Sequence, residues 1–221
     1  MANWSAGKEY EQPPEGTTLG RCIRIIDIGT QHGEWQGKPT SRRQCIIVWE
    51  LPNDLMADGD FAGYPFTVSE FYTQSIGPKA SLGKMLVSWR GKEFTKEELD
   101  AFNPRAILDK PCTLSLYRND KGRTKIGSVS PVMRGTQVPS RVNELVYFML
   151  DEFDAAVYDG LSSGIKDLIA KSDEWKERVD ASAPKANPDT APNLTQGQRA
   201  AAASKAAAFD DGAPFDDAIP F

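Results

Sequence analysis

The stretch Ala80-Ser81-Leu82-Gly83-Lys84-Met85-Leu86-Val87-Ser88-Trp89 decides how the chain is read. Leu82, Met85, Leu86 and Trp89 recur at the spacing that gathers apolar side chains on one face of a helix. The residues before it follow another rule. Leu19 to Thr30, Arg43 to Leu51 and Phe66 to Thr73 are rich in β-branched and aromatic residues with partial alternation, which predicts three strands. Arg21 and Arg24 interleave with the isoleucines of the first. His32 to Ser41 reads as a polar, Gly-containing loop, and Pro52 to Pro65 carries Asp and Gly turn signals. Beyond the helical stretch, Thr95-Lys96-Glu97-Glu98 predicts a short second helix, with Thr95 as N-cap and Glu98 completing a capping box. Strands then resume at Cys112 to Arg118 and Arg123 to Val132, joined by the turn-rich Asn119-Asp120-Lys121-Gly122.

Three strands, a helical insert and a hairpin make a mainly β chain with α insertions. That is the element order of an OB-fold, a five-stranded Greek-key barrel. Element order does not fix strand pairing, so other small β-barrels stay open. The expected organisation is a flexible lead-in over 1–16, with Trp4 and Tyr10 able to dock, and an OB-fold-like domain over 17–135. A helical extension over 136–179 packs back on the barrel through Ile165, Leu168, Ile169 and Trp175, and within it Val146 to Leu150 predicts a short strand. From Asp180 the chain turns to Ala, Pro, Asn, Thr and Gln with few large apolar residues, which predicts a disordered linker over 180–208. An acidic tip over 209–221 follows.

The net charge of −5 conceals an asymmetry. Residues 17–135 carry 17 Lys+Arg against 13 Asp+Glu, a net of +4, so the acidity lies outside the predicted domain. That pattern suits a polyanion-binding domain with acidic appendages. The chain holds 3 Cys, and Cys22, Cys45 and Cys112 are widely spaced among apolar neighbours, which predicts reduced, buried thiols. No apolar run is long enough to cross a membrane, and the start lacks the basic and apolar parts of a signal peptide, so a cytoplasmic location is expected.

Single strands of nucleic acid are held by cations that follow the phosphates and by aromatic faces on which bases stack. The first loop supplies Trp35 and Lys38, leading into Arg42 and Arg43. The last hairpin supplies Tyr117, Arg118, Lys121, Arg123 and Lys125. Leu114 and Leu116 are expected to face inward, which turns Tyr117 out. Of the adjacent Phe71 and Tyr72, one should be buried and one exposed, and Tyr72 is assigned the exposed place. Trp49 and Trp89 sit in apolar settings and are assigned to the core.

Enzyme signatures are missing. His32, the sole histidine, has no fixed nucleophile to activate. The cysteines lack metal-site spacing. Gly77 to Lys84 is similar to a phosphate-binding loop, but five residues rather than four separate its glycines and Met85 stands where Ser or Thr is needed. Asp151, Glu152 and Asp154 fit a helix start better than a metal site. No catalytic residue, metal or cofactor is expected.

The segment Asp210-Asp211-Gly212-Ala213-Pro214-Phe215-Asp216-Asp217-Ala218-Ile219-Pro220-Phe221 joins four aspartates to a few apolar residues. It is a compact ligand for an apolar pocket with a basic rim. Its last residues, Asp216, Asp217, Ile219, Pro220 and Phe221, resemble the acidic tip of bacterial single-stranded-DNA-binding proteins, with Ala218 where that family more often has an acid. Together with the barrel, insert and linker, and with stretches such as Val48-Trp49-Glu50-Leu51-Pro52 and Ser88-Trp89-Arg90-Gly91, the chain resembles bacteriophage single-stranded-DNA-binding proteins of the OB-fold type. The resemblance implies sequence-independent binding in replication and recombination, in the cytoplasm of a bacterial host. It also implies recruitment of host or phage replication and recombination proteins through the tip. A second reading makes the chain an adaptor or decoy that engages such proteins without touching DNA.

Overall fold

The computed structural model describes residues 11–182. The apolar runs become the strands and helices expected of them, in a mainly β fold. Strands β1 (Gly16–Trp35), β2 (Lys38–Leu55) and β3 (Pro65–Thr73) precede helices α1 (Ser81–Arg90) and α2 (Lys96–Asp100). Strands β4 (Pro111–Arg118) and β5 (Thr124–Ser130) follow, then β6 (Val146–Phe148), α3 (Ala155–Asp159), α4 (Ser163–Lys171) and α5 (Asp173–Ser182). The α2 capping box is present: the Glu98 N–H donates to Thr95 Oγ1 at 3.2 Å, and the Thr95 N–H donates to Glu98 Oε2 at 3.0 Å. Helix α5 carries through Asp180 to Ser182, the first residues of the stretch read as linker.

The hydrogen-bonded path runs β3-β2-β1-β4-β5, antiparallel throughout, and β6 adds in parallel to β1 at Arg24–Ile26. The ladder does not close into a ring, although its edge strands β3 and β5 approach one another and α1 packs against both. Among the described residues no helix is long and apolar enough to cross a membrane.

Strands β1 and β2 are buried on both faces, which explains why their sequences alternate so imperfectly. One core gathers Cys22, Ile25, Cys45, Ile47, Trp49 and Leu51 with Phe66, Val68, Leu114, Leu116 and the α1 residues Leu82, Met85, Leu86 and Trp89. Trp49 and Trp89 meet there with ring centroids 6.1 Å apart. The second core lies on the opposite face, where Ile23, Ile26, Ile28, Ile46 and Val48 meet Phe148, Leu150, Leu161, Ile165 and Ile169. The register between β1 and β2 shifts between Cys22 and Arg24 and again between Asp27 and Gly29. A bulge re-aims the side chains that follow it, so the isoleucines of β1 supply both cores.

Leu168 and Trp175 border the second core, as the sequence predicts, and Trp175 stacks on Tyr158 at 4.7 Å. Two buried carboxylates fasten the later chain to the strands. Glu50 accepts from the Val142 and Asn143 N–H groups at 2.9 and 2.7 Å. Asp27 accepts from the Leu150 N–H at 3.3 Å and the Gly29 N–H at 2.9 Å. Buried acids need such partners, because an unpaired polar group out of water costs about 1–3 kcal/mol or more. The three cysteines are free and buried.

Candidate nucleic-acid interface

Residues 32–41, expected as a loop, continue the β1–β2 ladder down to Trp35 opposite Lys38. The turn between them is Gln36-Gly37, with φ of 51° and 74°. Positive φ at both central residues marks the two-residue turn whose twist matches a hairpin, and Gly at the second suits it. The overlooked signal was therefore Gln36-Gly37 with polar strand residues on either side. Past Gln44, which faces Thr73, β2 has no β3 neighbour, and past Ile26 β1 has no β6 neighbour. The result is a two-stranded arm.

Cross-strand partners share a face. Trp35 lies opposite Lys38 and Gln31 opposite Arg42, so Trp35, Lys38 and Arg42 project on one side of the arm. Trp35 is 67% exposed, and Lys38 and Arg42 are exposed as well. Arg43 points to the other side. Its Nη2 lies 2.5 Å from Asp27 Oδ2 and 2.9 Å from Asp151 Oδ2, and its Nε lies 3.9 Å from Glu174 Oε1. The structure therefore places Arg43 in a carboxylate cluster rather than beside Arg42 on the open face.

The exposed aromatic of β3 is Phe71, at 43%, while Tyr72 is buried at 8%, so the assignment of Tyr72 to the surface is corrected. The reason is parity: Phe66, Val68 and Tyr72 occupy alternate positions and point into one core. Phe71 lies opposite Ile46, on the side of β2 that carries Gln44, Arg42, Thr40 and Lys38 at successive alternate positions. Trp35, Lys38, Arg42 and Phe71 thus belong to one continuous side of the sheet. The helical extension covers this side at Ile46 and Val48 and reaches the arm at Gln31, leaving Trp35, Lys38, Arg42 and Phe71 exposed.

The β4–β5 hairpin holds a second aromatic–cation pair. Tyr117, 50% exposed, stands opposite Lys125, and Leu114 and Leu116 point inward as expected. The ring lies over Gly127, where a Cβ would sit 3.4 Å from Tyr117 Cδ1. In the connection, Asn119 Oδ1 accepts from the N–H groups of Lys121 and Arg123 at 3.1 and 2.9 Å, which displays Lys121 at the tip. Arg123 is half-buried. Arg118 closes the hairpin, donating from Nη1 to the Gly122 carbonyl at 3.0 Å, with Nε 3.5 Å from Glu15 Oε1.

Residues 11–15, read as flexible, dock beside this hairpin. Thr124 Oγ1 donates to the Pro13 carbonyl at 2.7 Å, and Glu11 Oε2 accepts from the Ala57 N–H at 2.9 Å. Trp4 and Tyr10 lie outside the described residues, as do Asp216, Asp217, Ile219, Pro220 and Phe221.

The two groups do not touch: β4 pairs with the start of β1, from Gly16 to Arg21, and the arm is the other end of that strand. They flank the sheet from opposite ends. Lys38, Arg42, Lys121 and Lys125 form no ion pair with a described residue, whereas Arg43, Arg118, Arg21 and Arg90 all do. Unpaired cations beside exposed aromatic rings are the chemistry that grips phosphates and stacks bases. His32 is engaged with Asp173 at 2.8 Å, and no group of three or more potential metal ligands occurs among the described residues. No protein-family model matches the chain, and no curated protein or solved structure matches it.

Proposed function

We propose that this protein binds single-stranded DNA without sequence preference, through an OB-fold-like sheet, and recruits replication and recombination proteins of a bacteriophage or its bacterial host through residues 209–221. The observation that carries the reading is the shared side of Trp35, Lys38, Arg42 and Phe71, with Tyr117, Lys121 and Lys125 at the far end. In OB-folds the β2–β3 face and the loops after β1 and β4 hold oligonucleotides. Three features support that architecture: the strand order, the approach of β3 to β5, and a helix inserted between β3 and β4 in the chain that packs on β3 and β5.

Bases stack on Trp35, Phe71 and Tyr117, each contributing about 1–3 kcal/mol, and the free cations track the backbone. A sheet side with few directional donors discriminates poorly between bases, so the preference is for unpaired strand rather than sequence. Acidic residues 209–221 stay off the DNA by repulsion and remain available to proteins.

Fluorescence polarisation with labelled poly-dT, repeated on duplex DNA and across salt concentrations, tests the reading. Tight, salt-weakened binding to poly-dT and weak binding to duplex are expected; no binding to poly-dT at low salt overturns it. Deleting Ile219 to Phe221 should abolish capture of replication proteins and leave poly-dT affinity equal or higher.

A further inference from the structure

The arm carries three of the proposed DNA contacts, yet from Gly29 to Gln44 it is only two strands wide. A lone two-stranded hairpin is marginally stable in water. Its β1 edge is instead held by the corner between α4 and α5, through consecutive residues. The Thr30 N–H donates to Glu174 Oε2 and Thr30 Oγ1 donates to Glu174 Oε1, both at 2.7 Å. Gln31 Nε2 donates to the Leu168 carbonyl at 3.0 Å, and His32 Nε2 lies 2.8 Å from Asp173. Gly29 lets the corner come this close: a Cβ there would lie 2.5 Å from Ser172 Cβ.

Asp173 and Glu174 open α5, where acids favour the helix dipole. That alone does not explain their reach. Both oxygens of Glu174 accept from Thr30, outside its own helix, and Oε1 also lies 3.9 Å from Arg43 Nε on the neighbouring strand of the arm. Burial pushes the Glu174 carboxyl up, but the two Thr30 bonds, its own backbone N–H and the Arg43 charge together hold it below its usual range.

We infer that Glu174 is a positioning residue: through Thr30 it fixes the angle of the β1–β2 arm, so that Trp35, Lys38 and Arg42 stand ready for a single strand. The inference rests on the proposed function for its purpose, not for its mechanics. Preorganising a binding element lowers the ordering cost that binding otherwise bears. The arm and the helix leading to residues 183–221 are then one mechanical unit.

Hydrogen exchange on the full chain reads the mechanics without DNA. Glu174→Ala should speed exchange of arm amides between Thr30 and Arg42 by about tenfold, while the core amides Ile46 to Leu51 keep their protection. Glu174→Gln, which still accepts from the Thr30 N–H, should stay within about twofold of wild type. Thr30→Val, made on the arm side so that α5 is untouched, should shift the arm in the same direction by less. In parallel, Glu174→Ala should weaken poly-dT binding about fivefold at unchanged melting temperature. Unchanged arm exchange in Glu174→Ala overturns the inference, as does a loss of protection shared equally by arm and core. If the arm responds but wild type does not bind poly-dT, the functional reading falls and the positioning role stands.

Discussion

Arg43 and Asp27 meet at 2.5 Å where the β1–β2 arm leaves the sheet, with the carboxylate fully buried and the guanidinium partly open. Gln74 Nε2 also donates to Asp27 at 2.5 Å, so four groups converge on one acid. Arg43→Ala leaves a buried charge without its counter-ion, a change that costs about 3–5 kcal/mol. Urea unfolding should show that loss. Arg42→Ala, next along the strand, should leave stability within about 0.5 kcal/mol.

Phe71 and Tyr72 separate binding from stability. Phe71→Ala should weaken poly-dT binding by about 1–3 kcal/mol, roughly 5- to 150-fold, with little change in melting temperature. Tyr72→Ala empties a core position and should cost about 3–5 kcal/mol of folding free energy. Titration and calorimetry on the two variants check the pair together.

Lys38, Arg42, Lys121 and Lys125 carry the electrostatic part of the account. Each neutralised phosphate on a single strand contributes about 0.7 to the slope of log K against log salt. Lys38→Ala and Lys125→Ala should each flatten the slope by about that amount, and the double variant by about twice it. Arg118→Ala should act mainly by loosening its hairpin, since its guanidinium is bound to Gly122 and Glu15.

Acid should act on the α1–α2 corner. Hydrogen bonds from Arg90, then from the Thr95 N–H, hold the Glu98 carboxyl at about 2. Because its folded value lies below the unfolded one, the stabilisation it gives is complete above the ordinary carboxylate range. It is lost as pH falls from about 4.3 towards 2. NMR titration of Glu98 should place its midpoint near that lower value, and Glu98→Gln should remove this contribution to acid sensitivity.

The thiols give a separate check on the core. Burial pushes the Cys45 thiol up to about 12 and raises Cys22 and Cys112 as well. The thiolate is the reactive form, so none should react with an aromatic disulfide reagent at pH 8 in the folded protein. All three should react after unfolding.

Much of this was legible in the sequence because local pattern and tertiary role agreed. Leu82, Met85, Leu86 and Trp89 gave α1, Thr95 and Glu98 gave the cap, and Leu114 and Leu116 gave the orientation of Tyr117. The arm was not legible, since a polar hairpin with no apolar face to bury carries no periodic signal, and only Gln36-Gly37 marks its turn. Tyr72 was misassigned because its parity depends on Phe66 and Val68, six and four residues away. Arg43 looks like Arg42 in sequence. What distinguishes them is Asp27 across the ladder together with Asp151 and Glu174, which arrive from more than a hundred residues on.

Photocrosslinking tests the placement of the DNA most directly. A dT oligonucleotide carrying 5-iododeoxyuridine, irradiated with the protein and mapped by mass spectrometry, should attach at Trp35, Phe71 and Tyr117. Attachment confined to the α1–α2 region, from Leu86 to Lys110, or to the second core at Tyr158 and Trp175, would contradict the account.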